Sequence, residues 1–261
     1  MSFFNIAFKT LVKREIHRYL KVLFQTIFTP LVNSILYLLI FGVSLGESIK
    51  LDSGITYLAF IIPGLVMMSC LNNAFQNTSS SIVSGKFSGD TEDWRVVPLT
   101  TNSIIWGLCL GALTRGYFVS FLTFITGELF YYCTYDSFIH VQNIFLFLLF
   151  LTLGGLVFSL VGIIVAIWAK SFDEMSAIGA LILTPLMFLG GVFFSIKNLS
   201  PFWQNVSLYN PMLYFINGFR FAMLGESDVS FQTSILVSCL SLFISFFIAK
   251  YAIEKGSFKR W

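Results

Sequence analysis

The densest charge in this chain lies in GKFSGDTEDWRVVPLT, residues 85–100, which holds Lys86, Asp90, Glu92, Asp93 and Arg95. Residues of these types support phosphate binding, acid–base catalysis or metal ligation when their spacing is right. Here it is not. Gly85-Lys86 is followed by Phe87 and lacks the upstream glycine of a phosphate-binding loop. The chain has no His-Glu-x-x-His, no Gly-x-Ser-x-Gly turn and no Asp-rich metal pair. His17 and His140 are too far apart to form a cluster, and Cys70, Cys109, Cys133 and Cys239 form no Cys-x-x-Cys pair. The chemistry that remains is recognition. Trp94, Val96 and Val97 alternate with Glu92, Asp93 and Arg95, as on a short helix whose aromatic anchor buries in a partner while charged edges set its register. A solvated loop kept out of lipid by its charges is the other reading, and it accounts well for Lys86 and Asp90.

The surroundings of this stretch are apolar. Of 261 residues, 56% are hydrophobic and only 11% charged, too few polar groups to coat a water-soluble globule of this length. Several apolar runs reach the roughly 20 residues that cross about 30 Å of hydrocarbon as a helix. The expected spans lie near 22–43, 56–80, 102–130, 143–169, 174–195 and 231–252, all in a single domain. With both ends on one side, twelve Lys and Arg fall on that side and three (Lys50, Lys197, Arg220) on the other, while Arg115 lies within a span. That bias predicts cytoplasmic termini. The net charge of +3 is a matter of placement along a membrane rather than of nucleic-acid binding, and no nucleic acid is expected as a partner.

Residues 1–21 set Phe4, Phe8, Val12, Ile16 and Tyr19 at helical spacing among Lys9, Lys13, Arg14, His17, Arg18 and Lys21. This predicts a helix lying in the membrane surface with a basic face toward anionic lipid headgroups. Before the last span, residues 198–225 are too apolar for an ordinary loop. Ser200-Pro201 and Asn210-Pro211 each put a capping residue before a helix-starting proline, and Gly225 supplies a stop. Two short re-entrant or interfacial helices are expected there, anchored by Trp203 and carrying Arg220. The predicted fold is therefore an all-α integral membrane protein with six transmembrane helices, an N-terminal amphipathic interfacial helix and two re-entrant helices.

Within the third span, Gly107 and Gly111 have the small-xxx-small spacing that lets helices approach closely. Arg115 follows them. Such a charge either lines a translocation route and meets an anionic group, or bonds neighbouring carbonyls or an acid such as Glu128. Asn72, Asn73, Gln76, Ser69 and Thr184 put polar positions in spans 2 and 5, either along a route or as glue between helices.

Taken together, YLAFIIPGLVMMS (57–69), the 85–100 segment, KSFDEM (170–175), LTPLMFLGGVFFSIKNLSPFWQ (183–204) and NPMLYFINGFRFAMLG (210–225) resemble the membrane subunit of ABC exporters of the ABC-2 type. The resemblance runs over essentially the whole chain. It is greatest to the small, single-domain permeases of bacterial inner membranes, the YadH-like group. It implies a transport subunit without enzymatic activity or cofactor of its own. ATP and Mg would be bound by a partner ABC ATPase in two copies, and the permease would pair with a second permease copy, most simply as a homodimer. It also implies that Glu92, Asp93, Trp94 and Arg95 form the coupling helix that docks on the ATPase, with Pro98 ending it. Lys13, Arg14 and Arg18 would press on the same partner, and the Pro201 and Pro211 segments would form the outer mouth. Gly89 departs from the basic residue often found in relatives. The expected cargo is amphipathic, lipid-like or glycosylated. A solitary secondary transporter would call for internal repeats or more buried titratable groups, and an intramembrane lipid-processing enzyme for clustered carboxylates or histidines; neither pattern is present.

Overall fold

The computed structural model describes residues 3–44, 46, 54–90 and 99–256. Every regular element among them is helical. In chain order these are α1 (Phe3–Leu20), α2 (Leu23–Ser44), α3 (Tyr57–Ser88), α4 (Thr101–Tyr135), α5 (Ile144–Trp168), α6 (Phe172–Leu189), α7 (Pro201–Leu208), α8 (Pro211–Leu224) and α9 (Phe231–Lys255). Six of them, α2 to α6 and α9, are long and apolar enough to cross a membrane.

The helix starts follow from local chemistry. Thr56, Thr100, Asn143, Ser171 and Ser230 each accept a hydrogen bond from the backbone N–H three residues on, which satisfies a donor that the first turn would otherwise orphan. Gly89 and Gly225 end α3 and α8 at positive φ, where a side chain would be strained.

α3 is the centre of the bundle, buried along most of its length between α4 and α5. Close approach depends on glycine. A Cβ on Gly162 of α5 would fall 2.6 Å from the Phe75 carbonyl oxygen of α3, and one on Gly116 of α4 would meet Cys70 at 3.2 Å. By contrast α2, α6 and α9 leave most of their apolar surface uncovered, with Phe24, Leu181 and Phe243 exposed.

Several expectations are corrected. α3 runs past 80 to Ser88, on polar residues whose hydroxyls are satisfied in place: Ser81 donates to Glu15 Oε1 and Ser88 to the Ser84 carbonyl. α4 likewise continues past 130 to Tyr135. α6 stops at Leu189 rather than 195, where Gly191 turns at φ 81°. Lys86 is not a solvated loop charge. It sits in the last turn of α3, 1% exposed, and its Nζ donates to the carbonyls of Ala166 (2.8 Å), Ile167 (2.6 Å) and Ala169 (3.3 Å). It thereby caps the C-terminus of α5, where orphan carbonyls and the helix dipole favour a cation.

Arg220, expected on the second short helix, is buried in α8. Its Nη2 donates to Gly191 O at 2.7 Å and its guanidinium lies 3.8 Å over the Phe60 ring. That ties α8 to α3 and to the turn that ends α6.

The inward face of α1 is also displaced from the expected stripe. Leu11, Glu15 and Tyr19 are buried, while Phe8, Val12 and Ile16 are half-buried. The reason is the glycine pair on α4: Leu11 packs over Gly107 and Glu15 over Gly111, so the small-xxx-small groove receives α1.

Candidate functional site

Two polar stripes converge on a cavity of about 780 Å³. On α3, Ser69, Asn72, Asn73, Gln76 and Ser80 recur at three- and four-residue intervals, which places them on one helical face. On α2, Gln25, Thr29 and Asn33 recur every fourth residue and line the same space. α6 closes a third wall with Ser176 and Thr184, and Arg18 and Arg115 enter from α1 and α4. The sequence candidates Arg115, Asn72, Asn73 and Gln76 are thus brought together.

Arg115 does not pair with Glu128. The two lie thirteen residues apart on α4, about 20 Å along the axis at 1.5 Å per residue. Glu128 instead accepts from the Ile139 N–H at 3.0 Å. The Nε of Arg115 is buried and has no hydrogen-bond partner among the described residues. Asn73 is tied back to its own helix, Nδ2 to Ser69 O at 3.0 Å, which pins the α3 wall.

Arg18 is the anchor of a second network. Its Nη1 donates to Ser80 Oγ (2.9 Å), its Nη2 to the Asn77 carbonyl and its Nε to Glu15 Oε2 (3.3 Å). Glu15, fully buried, also accepts from Ser81 Oγ at 2.8 Å and Arg14 Nη2 at 3.1 Å. Burial holds the Arg18 pKa below the ordinary arginine value, an effect that the adjacent Glu15 carboxylate offsets only in part. Arg18 therefore faces into the bundle, unlike Lys13 and Arg14, which are exposed. This corrects its expected place on the outer basic face. Sequence reasoning passed over Glu15. Its signal was position: an acid four residues from both Leu11 and Tyr19, inside an otherwise basic helix.

The remaining candidates lie elsewhere. Pro201, Trp203 and Pro211 are exposed on α7 and at the start of α8. Asn210 is buried, bonding Leu186 O at 2.6 Å and capping α8 at Met212 N. Of these only Arg220 reaches the N-terminal end of α3, where it meets Phe60 and where Tyr57 donates to Phe193 O. Glu92, Asp93, Trp94, Arg95 and Pro98 lie outside the described residues.

Comparison with known proteins agrees with this architecture. The profile of the ABC-2 type transporter family matches residues 6–224. The chain is 38% identical to the inner membrane transport permease YadH of Escherichia coli (strain K12) over 253 residues, which is 97% of this chain and 94% of the relative. It is 25% identical to nodulation protein J of Neorhizobium galegae over 91% of this chain and 88% of that protein, and 23% identical to nodulation protein J of Rhizobium leguminosarum bv. viciae over 90% and 89%. A bundle with six helices of membrane-crossing length, the family match over residues 6–224 and a 38% identical inner membrane transport permease over 97% of the chain place this chain in the ABC-2 type transporter family, as a membrane transport permease.

Proposed function

We propose that the chain is the transmembrane subunit of an ATP-driven exporter in a bacterial inner membrane, moving an amphipathic, lipid-like or glycosylated molecule outward. The observation that carries this reading is the cavity between α2, α3 and α6. It gathers two polar stripes and two arginines between helices of membrane-crossing length, and polar groups in such helices are costly unless something polar uses them. α2 and α6 flank it with largely uncovered surfaces, so a second copy of the chain would enclose the route between two such halves.

ATP and Mg belong in this reading to a separate ABC ATPase, two copies per permease dimer, consistent with how the family generally works. Both termini face the cytoplasm. α1 lies in the cytoplasmic interface with Lys13 and Arg14 toward lipid or ATPase. Glu92, Asp93, Trp94 and Arg95 form the coupling helix, ended by Pro98. α7 and α8 are re-entrant and form the outer mouth, a placement supported by their lengths and by exposed Phe202, Trp203 and Tyr209, rings suited to an aqueous interface. ATP-driven closure of the ATPase pair moves the coupling helix, and α3, which leads directly into it, carries that movement to the cavity wall.

The test is affinity purification of the tagged chain from native membranes, beside a Glu92→Arg, Trp94→Ala variant. An ABC ATPase should accompany the wild type and be lost from the folded variant. If no ATPase co-purifies under gentle extraction, the ATP-driven reading fails and a solitary transporter replaces it. Equal retention by the variant would remove the coupling assignment alone.

A further inference from the structure

We propose that the Arg18–Arg115 end of the cavity binds a phosphate-type anionic head group, so that the transported molecule is an anionic amphiphile whose tail stays outside the cavity. The inference rests on the transport reading above and adds to it the charge of the cargo.

The cavity lining contains two guanidinium groups and no carboxylate among the described residues. Glu15 is not part of that lining; its carboxylate is engaged by Arg18, Arg14 and Ser81. Arg115 lines the same cavity as Arg18, and its buried Nε has no hydrogen-bond partner among the described residues. A guanidinium carries five donors in a planar fork that matches two oxygens of a phosphate at once. Arg18 already has Glu15 as its counter-charge, so the cost of an uncompensated cation in a membrane span falls on Arg115, and an incoming anion relieves it where a cation or neutral group would not.

Size argues for the head alone. About 780 Å³ is within the range of roughly 300–1,000 Å³ typical of sites for single small ligands, and falls short of a lipid with its chains. Asn72 and Gln76 stand on the same wall, ready for further head-group oxygens or hydroxyls. Phe24 and Phe28 of α2 and Leu181 of α6 are exposed on the elements that border the cavity, which gives an apolar tail a surface to follow.

The experiment is equilibrium binding to the purified full-length chain in maltoside micelles, using dodecyl phosphate, dodecylphosphocholine and inorganic phosphate as probes. The expected result is that dodecyl phosphate binds about tenfold or more tighter than either alternative. Arg115→Gln should abolish that preference, Arg115→Lys should keep part of it, and Lys255→Gln, on the exposed last turn of α9, should leave it unchanged. Equal binding of dodecyl phosphate and dodecylphosphocholine would overturn the proposal. So would inorganic phosphate binding as tightly as dodecyl phosphate, or an Arg115→Gln chain that elutes as a folded monodisperse species and still discriminates. Because no ATPase is present in this measurement, its failure is separable from failure of the co-purification test.

Discussion

Glu15 and Lys86 show how single charges are accommodated inside this bundle. Glu15 is fully buried and is held by Arg18, Arg14 and Ser81. Replacing Glu15 with Ala leaves the Arg18 guanidinium without its counter-charge, but Arg18 is 30% exposed and water can reach it, so the cost is that of a lost charged hydrogen bond, about 1.5–3 kcal/mol. A clear fall in the unfolding temperature in detergent is expected, with Glu15→Gln falling less because it still accepts from Ser81. A variant as stable as wild type would show that the pair contributes little. Lys86→Met keeps the aliphatic stem but removes three donations to carbonyls at the end of α5. Charged hydrogen bonds contribute about 1.5–3 kcal/mol each when both partners are otherwise buried, so destabilisation of at least that size is expected in the same measurement. Both residues were hard to read from sequence for the same reason. A charge near a span end looks solvated until its neighbours from other helices are known. Arg115 was easier, because an arginine in the middle of an apolar run stands out whatever surrounds it.

At the level of elements, the Gly107/Gly111 pair was legible but its partner was not. Small residues at four-residue spacing announce close packing without saying which helix packs there. The structure gives the place to α1. A Cβ on Gly111 would lie 2.4 Å from the Glu15 Cβ, so Gly111→Leu must push α1 away from α4. Limited proteolysis should then cut within α1 in the variant but not in wild type; an uncut variant would show that α1 is held by other contacts. Arg220→Lys is expected to weaken the junction of α8, α3 and the end of α6, since an ammonium cannot both reach Gly191 O and stack flat on Phe60. The unfolding temperature should fall, and the loss should exceed that of an exposed α7 change such as Trp203→Phe.

For the whole molecule, the testable quantity is topology. With Cys133 and Cys239 replaced by Ser, leaving Cys70 and Cys109 buried, His140→Cys should react with a membrane-impermeant maleimide from outside intact cells. Lys255→Cys should react only after the membrane is opened. The reverse pattern would invert the proposed orientation and place α1 on the outer face. Six spans were legible because the signal for a membrane helix is local: length and apolarity along one stretch of chain. The span ends were less so, because α3 and α4 continue past their apolar runs on polar residues that are satisfied by their own backbone or by neighbours.

By itself the sequence determined an all-helical membrane chain, the number of candidate spans, the short helices that start at Pro201 and Pro211 with the stop at Gly225, and the family to which these segments are similar. Each is set by composition or by residues within a turn of one another. The tertiary structure decided which polar groups share a space. Asn72, Asn73 and Gln76 are one stripe on α3 in any reading, yet only packing brings them to the same cavity as Gln25, Asn33, Arg18 and Arg115. It also separated Arg115 from Glu128, turned Arg18 inward onto Glu15, and used Lys86 to close the end of α5. Those pairings join residues of different helices, and no period along the chain encodes which faces of two helices will meet.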